Sequence, residues 1–228
     1  HAEVDSLRGF VFDINGVMRG KRLPMDQLEK LCGGGMRLPL STANVDIWGR
    51  DIEGSHWVFE TGDSDGKCEW TGRGPLIMPW SHRAAAMVPL VLHTEDNAPF
   101  QGDTRNALAA LLARFTTRGL QPVAAFELEF YLADPKAMDA GLANPLTGAD
   151  SVRDGVLSFD DLNDFDAILT EIYDACRVQD VAADAAISES GAGQFEVNLR
   201  HGADAMKVAD DAMLFKNIVK SVARKHGL

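Results

Sequence analysis

Two strand-like segments carry carboxylates where a core strand would be apolar. The first is Phe126-Glu127-Leu128-Glu129-Phe130-Tyr131-Leu132, and the second runs from Ser188 to Leu199 with Glu189, Glu196 and Gly191-Ala192-Gly193 between them. Side chains alternate across a strand, so Glu127 and Glu129 share one face while Phe126, Leu128 and Phe130 share the other. Likewise Gln194, Glu196 and Asn198 oppose Phe195, Val197 and Leu199. Such strands must be dry on one face and wet on the other. Acids in apolar strands are costly unless something positive meets them, and hard divalent cations such as Mg²⁺ and Mn²⁺ favour oxygen donors. A solvent-facing sheet surface produces the same alternation, so spacing alone leaves both readings open.

With 228 residues, 46% of them hydrophobic, the chain can build one large domain or two small ones. Lys and Arg number 22 and Asp and Glu 34, a formal charge of −12. That balance argues against nucleic acid or an anionic membrane as partner. Anionic ligands stay possible, since bound metal ions supply positive charge locally, and plain solubility explains the charge equally well. Cys32, Cys68 and Cys176 are far apart, with no Cys-x-x-Cys pair. They read as reduced thiols of a cytoplasmic protein without a zinc site. No apolar run approaches the ~20 residues that cross a bilayer, and no signal peptide opens the chain. The first residue, His1, suggests numbering that starts inside a longer protein.

Residues 1–97 read as rich in strands and loops. Gly9 to Ile14 and Val17 to Leu23 form a hairpin about Asn15-Gly16. A short helix over 26–31 stops at Gly33-Gly34-Gly35. Residues 61–66 are a turn or loop. Ala85 to Leu92 is a strand, with Pro89 marking an edge or an irregularity. From residue 98 helices alternate with strands. Asp103 or Thr104 caps a helix with Leu108, Leu111, Leu112 and Phe115, closed by Gly119. The first acidic strand follows, then a surface loop over 134–155. Ser158 caps a second helix, with Asp161 three residues on. Phe165, Ile168, Leu169, Ile172 and Cys176 form its apolar stripe. After the second acidic strand, a last helix over about 203–226 carries Phe215, Ile218, Val219 and Val222. The chain stops at Leu228, where another strand would be expected after that helix.

Other candidates are weaker. Gly33-Gly34-Gly35 lacks the Gly-Lys-Ser/Thr of a phosphate loop. Arg19-Gly20-Lys21-Arg22 can meet an anion but fits a solvated basic hairpin better. His56, His82, His93 and His201 show no zinc spacing, and there is no Gly-x-Ser-x-Gly elbow.

Taken in order, Asp13-Ile14-Asn15-Gly16-Val17-Met18-Arg19-Gly20-Lys21, the Phe126–Phe130 strand and the stretch Glu189 to Leu199 resemble the glutamine synthetase family. The helix from Asp204 to His226, with Ala209-Asp210-Asp211 and Phe215-Lys216, resembles the segment that follows there. The resemblance covers nearly the whole chain. It implies an α+β fold: an N-terminal β-grasp domain over 1–97, then the first part of a glutamine synthetase-type catalytic α/β domain over 98–228. It implies that Glu129, Glu189 and Glu196 hold one Mg²⁺ or Mn²⁺ ion and that Glu127 contributes to a second. The implied reaction joins the γ-carboxylate of glutamate to ammonia or an amine, with ATP as co-substrate, through γ-glutamyl phosphate. Divalent ions suit that chemistry because they neutralise and align crowded phosphate and carboxylate oxygens.

Glu-Ser-Gly-Ala-Gly-Gln-Phe-Glu, residues 189–196, is most similar to the branch that includes γ-glutamylputrescine synthetases. Family members form homo-oligomeric rings in which one subunit's N-terminal domain completes a neighbour's site. Asp46 or Asp63 can face that site, although a loop role suits each better. In the family the catalytic domain continues for about as many residues again, with a histidine ligand, a further glutamate and substrate-holding arginines. The resemblance thus puts the main substrate-binding part beyond Leu228. The chain is therefore expected to be truncated, inactive alone, and without an assignable catalytic or nucleotide-binding residue of its own. The alternative is a non-catalytic scaffold or regulator on the same fold, which would be expected to have lost these carboxylates. An unrelated carboxylate metalloenzyme fits the acids but not the motif order.

Overall fold

A computed structural model describes residues 4–137, 143–149 and 155–228. The described residues form two compact units, divided after Leu120. The loop expected over 134–155 lies in part (138–142 and 150–154) outside the described residues.

In the first unit, β1 (Ser6–Phe12) and β2 (Met18–Pro24) pair antiparallel from Phe12↔Met18 to Ser6↔Pro24. Asn15-Gly16 turns the hairpin: the Gly16 N–H donates to the Asp13 carbonyl, and Gly16 takes φ +68°, where a Cβ is disfavoured. Asp13, only 1% exposed, holds the turn from inside. Its carboxylate accepts from the backbone N–H groups of Asn15 and Val17 and from Arg19 Nε. Arg19 is thus paired within the hairpin, and Lys21 Nζ donates to the Arg37 carbonyl.

A 3₁₀ turn over Met25–Gln27 leads into α1 (Leu28–Cys32), which ends at Gly33. Then come β3 (Met36–Pro39), the one-turn helix α2 (His56–Phe59), β4 (Asp65–Trp70), β5 (Leu76–Ile77) and β6 (Ala85–His93). The sheet order is β2-β1-β6-β4-β3, with β5 also on β6. β1 runs parallel to β6, and the other pairs are antiparallel. Hairpin, helix and a central strand parallel to the first are what the β-grasp expectation requires. The core lies between sheet and α1, around Leu7, Leu31, Met36, Val88, Leu92 and Phe100.

Two expectations need correction here. Residues 65–66 open β4 rather than continue a loop, and of the two readings of Pro89 the edge fails, since β6 is central, while the irregularity holds. The proline is tolerated because β4 ends opposite Leu90 and β5 begins opposite Met87. Its missing N–H falls in that gap, while its carbonyl accepts from Thr71.

Asp103 caps α3 (Thr104–Thr116). Only Asn106 of α3 is buried, so the expected apolar stripe is not core here: Leu108, Leu112 and Phe115 are not fully buried and Leu111 is exposed. Asp103 itself is buried; Oδ1 accepts from the Arg105 N–H at 2.8 Å and Oδ2 from the Leu92 N–H at 2.9 Å. Burial nonetheless pushes its carboxyl above the ordinary aspartate range. Asp103→Ala removes a helix cap and strands a buried strand donor. It is expected to cost about 2–3 kcal/mol in urea unfolding, with Asp103→Asn losing less. An unchanged midpoint for the alanine variant would refute the clasp.

In the second unit, β7 (Glu127–Tyr131), β8 (Ala183–Ser188) and β9 (Gln194–Leu199) form an antiparallel sheet in the order β7-β9-β8. Ser188 to Leu199 is therefore a hairpin, not one strand. The sequence gives β8 little signal because Ala183–Ser188 is small and weakly alternating. Ser158 caps α4 (Phe159–Asp164) by accepting from the Asp161 N–H, as the sequence predicts. The expected single helix breaks at Phe165 before α5 (Asp166–Val178). Its stripe is buried as expected, and so is that of α6 (Ala205–Lys225). After α6 the Leu228 N–H donates to the Ala223 carbonyl at 2.9 Å.

The α5 and α6 helices are clasped at Glu171, whose carboxylate accepts from Lys225 Nζ at 2.6 Å and His226 Nε2 at 2.9 Å. Burial alone would raise the Glu171 pKa. The bonds and charges of Lys225 and His226 outweigh it and hold the carboxyl below its ordinary value. A carboxyl depressed in the folded state adds stability at neutral pH that is lost as pH falls through its folded pKa. Glu171→Gln is thus expected to lower the thermal midpoint at pH 7 and to narrow its gap to the parent on acidification. A gap independent of pH would count against the clasp.

Candidate metal-binding face

The register of the second sheet places the four glutamates on one face. Glu129 stands directly opposite Glu196, Glu127 opposite Asn198, and Tyr131 opposite Gln194. On the other side of β9, Ile187 faces Glu196 and Ser188 faces Phe195. The next step brings Glu189 beside Gln194, and its N–H donates to the Gln194 carbonyl. Three rows follow: Tyr131, Gln194 and Glu189; then Glu129, Glu196 and Ile187; then Glu127 and Asn198. Glu127 and Glu129 are exposed, whereas Glu189 and Glu196 are half-buried.

The opposite face is dry. Phe195 is 1% exposed and Val197 and Leu199 are buried with it. Phe195 packs edge-on against Phe165 at 4.9 Å between ring centroids, and Phe130 contacts Phe195 and Phe215, each at 6.2 Å. Burial of these rings fixes the register, because a one-residue slip would turn the carboxylates into the core.

Directly opposed side chains lie about 5 Å apart at Cβ, and like charges there repel. Among the described residues, none of the four glutamates is in an ion pair with a basic side chain. Two carboxamides on the same face meet them instead. Gln194 Nε2 donates to Glu129 Oε2 at 2.9 Å, and Asn198 Nδ2 donates to Glu196 Oε1 at 3.1 Å. No group of three or more His, Cys, Asp or Glu side chains among the described residues converges closely enough to hold an ion. The donor chemistry nevertheless suits a hard divalent cation: all donors are carboxylate oxygens, on one wet face, with no protein cation to neutralise them.

A glycine-rich corner closes the upper row. A Cβ on Gly191 would lie 2.6 Å from the Tyr131 ring and 2.8 Å from Gln194 Oε1. Gly193, at φ +69°, would bring one within 2.6 Å of the Leu132 carbonyl. At the other end, beside Glu127 and Asn198, an open cleft of about 720 Å³ is bordered by Phe126, Asp184, Arg200 and His201. Sequence reading does not reveal this cleft, since nothing in the spacing links Asp184 to residues 198–201.

The remaining acids behave as loop residues. Asp46 Oδ1 accepts from the backbone N–H groups of Trp48 and Arg50, and Asp63 sits in a turn at φ +52°. All three cysteines are free; burial pushes the Cys68 and Cys176 thiols up to about 12, which leaves them inert at neutral pH. No helix among the described residues is long and apolar enough to cross a membrane.

The glutamine synthetase catalytic domain matches from residue 101 to Leu228, more than half of the chain. The chain belongs to the glutamine synthetase family. Among its relatives is γ-glutamylputrescine synthetase PuuA of Escherichia coli K12, 36% identical over 223 residues, covering 94% of this chain and 46% of that one. Glutamate–isopropylamine ligase of a Pseudomonas species is 26% identical, covering 99% and 49%. The fold matches the solved apo form of GmaS with a TM-score of 0.79 at 25% identity, over 98% of this chain and 48% of that one. The chain thus spans about half the length of the curated relatives it matches. Both acidic strands and the cleft lie inside the part matched to the family's catalytic domain.

Proposed function

We propose that the protein, expressed in full, is an ATP-dependent ligase that joins the γ-carboxylate of glutamate to ammonia or an amine through γ-glutamyl phosphate. The observation that carries this reading is the carboxylate face of β7 and β9, whose glutamates pair with no basic side chain among the described residues, within a glutamine synthetase catalytic-domain match. A γ-glutamylputrescine synthetase and a glutamate–isopropylamine ligase stand among the relatives beside glutamine synthetases, which supports an acceptor that is either an amine or ammonia.

Glu129, Glu189 and Glu196 would hold one Mg²⁺ or Mn²⁺ ion, and Glu127 would contribute to a second. Glu127 and Glu189 lie at opposite ends of the face, about 13 Å apart along the strands, which is consistent with giving them to different ions. When bound, the ions supply the positive charge that lets phosphate and carboxylate oxygens approach. The cleft opening at Glu127 gives the nucleotide's phosphates a route to that face. The groups that hold the rest of the substrates are assigned, in this reading, to sequence beyond Leu228.

The domain division proposed is 1–97 and 98–228. The family match beginning at residue 101 supports it, whereas the compact units divide at 120, leaving α3 with the first. The 228-residue chain alone is expected not to turn over, and the whole protein to form a homo-oligomeric ring. Exposed Ile47 and Trp48, 73% and 76% accessible, suit a subunit contact.

The test is ADP release by the protein expressed in full with Mg²⁺, ATP and glutamate, with ammonia, putrescine, isopropylamine and other amines supplied separately. Stimulation by one amine identifies the acceptor. Silence with every amine from a folded, metal-bound protein would overturn the ligase reading in favour of a non-catalytic relative.

A further inference from the structure

We propose that Gln194 and Asn198 are positioning residues for the candidate metal carboxylates, each fixing one oxygen of a central glutamate so that the other is presented to the ion. The inference rests on the proposed metal reading and adds residues to it.

Glu129 and Glu196 form the one directly opposed glutamate pair on the face, so their repulsion must be managed whenever no cation is present. Each receives a single amide N–H from the neighbouring row: Gln194 to Glu129 Oε2, and Asn198 to Glu196 Oε1. Glu129 Oε1 and Glu196 Oε2 are left without an amide partner. One oxygen tethered and one offered is how outer hydrogen bonds orient carboxylate ligands.

Gln194 is itself fixed at both ends. Its Oε1 accepts from the Gly191 N–H at 2.9 Å while its Nε2 serves Glu129. Flipping the amide would set oxygen against carboxylate and NH₂ against N–H, losing both bonds, so its orientation is determined. The fit also requires glycine at 191, because a Cβ there would lie 2.8 Å from that Oε1. The glycine corner, the amide and the carboxylate thus form one connected unit. Asn198 donates its Nδ2 N–H to Glu196 from two residues along β9, and stands opposite Glu127.

The experiment measures Mn²⁺ binding to the protein expressed in full, without nucleotide, from the electron paramagnetic resonance signal of free Mn²⁺, alongside thermal midpoints. Gln194→Met keeps length without the N–H, and Asn198→Val keeps a strand-compatible shape. Each is expected to weaken Mn²⁺ binding about 10–100-fold with little change in midpoint. The metal concentration for half-maximal activity should rise while the rate at saturating metal is retained. Affinities within about twofold of the parent, with or without lost stability, would overturn the inference. Should Gln194→Met not fold, Asn198→Val decides the matter at Glu196. If the parent itself binds no Mn²⁺, the metal reading falls first and the positioning role with it. That outcome is distinct from a parent that binds and variants that bind equally well.

Discussion

Glu129→Ala, in the protein expressed in full, is expected to lower metal-dependent ADP release by at least a factor of about 100, because a direct ligand should matter no less than the groups that orient it. Stability should not follow activity down. Glu129 is exposed, its strand is anchored by the opposite apolar face, and it meets Glu196 head-on. Removing one of two opposed carboxylates relieves repulsion. The thermal midpoint should therefore hold or rise while turnover collapses. This opposition of signs separates a ligand from a structural glutamate, whose loss would lower both. ADP release against Mg²⁺ concentration, paired with thermal unfolding, reads out the two effects. A fully active Glu129→Ala enzyme would remove Glu129 from the metal site.

The second large effect is expected at Gly193. Its φ of +69° is a conformation that costs L residues about 1–2 kcal/mol to adopt. An added Cβ would also lie 2.6 Å from the Leu132 carbonyl oxygen, a backbone atom that cannot swing aside. The Gly193 carbonyl accepts from the Leu132 N–H at 2.8 Å, so displacement breaks the link between the hairpin and the end of β7. Gly193→Ala should cost about 3 kcal/mol in denaturant unfolding. Gly119→Ala is the control: its φ is +66° with nothing within 4 Å of the new Cβ, so only the conformational cost of about 1 kcal/mol applies. Equal losses at the two positions would show that close approach to Leu132 is unimportant. Since Gly193 adjoins Gln194 and the segment leading to Glu189, the variant should weaken Mn²⁺ binding as well.

Much of this molecule follows from local chemistry. The cap at Ser158, the hairpin turn at Asn15-Gly16 and the apolar stripes of α5 and α6 depend on interactions within a few residues, and the sequence predicts each, while it narrows the cap of α3 to Asp103 or Thr104. The failures share a different cause. Pro89 leaves edge and irregularity both open, and only the gap between β4 and β5 shows that the irregularity is the right one. β8 escapes sequence reading because an alanine-rich strand shows its identity only through its partner.

The same division holds at the site. Alternation alone determined which side of each strand carries Glu127, Glu129 and Glu196, and the ordered motifs pointed to the glutamine synthetase family. Only the tertiary structure decided that Glu129 faces Glu196, that Glu189 lies at the end of the face away from Glu127, and that Gln194 and Asn198 hold the central pair. Side-chain direction is a property of one strand with a period of two, so it is written in the sequence. Which residues meet across strands depends on register, and register is set by how Phe130 and Phe195 pack with Phe165 and Phe215 on the dry face.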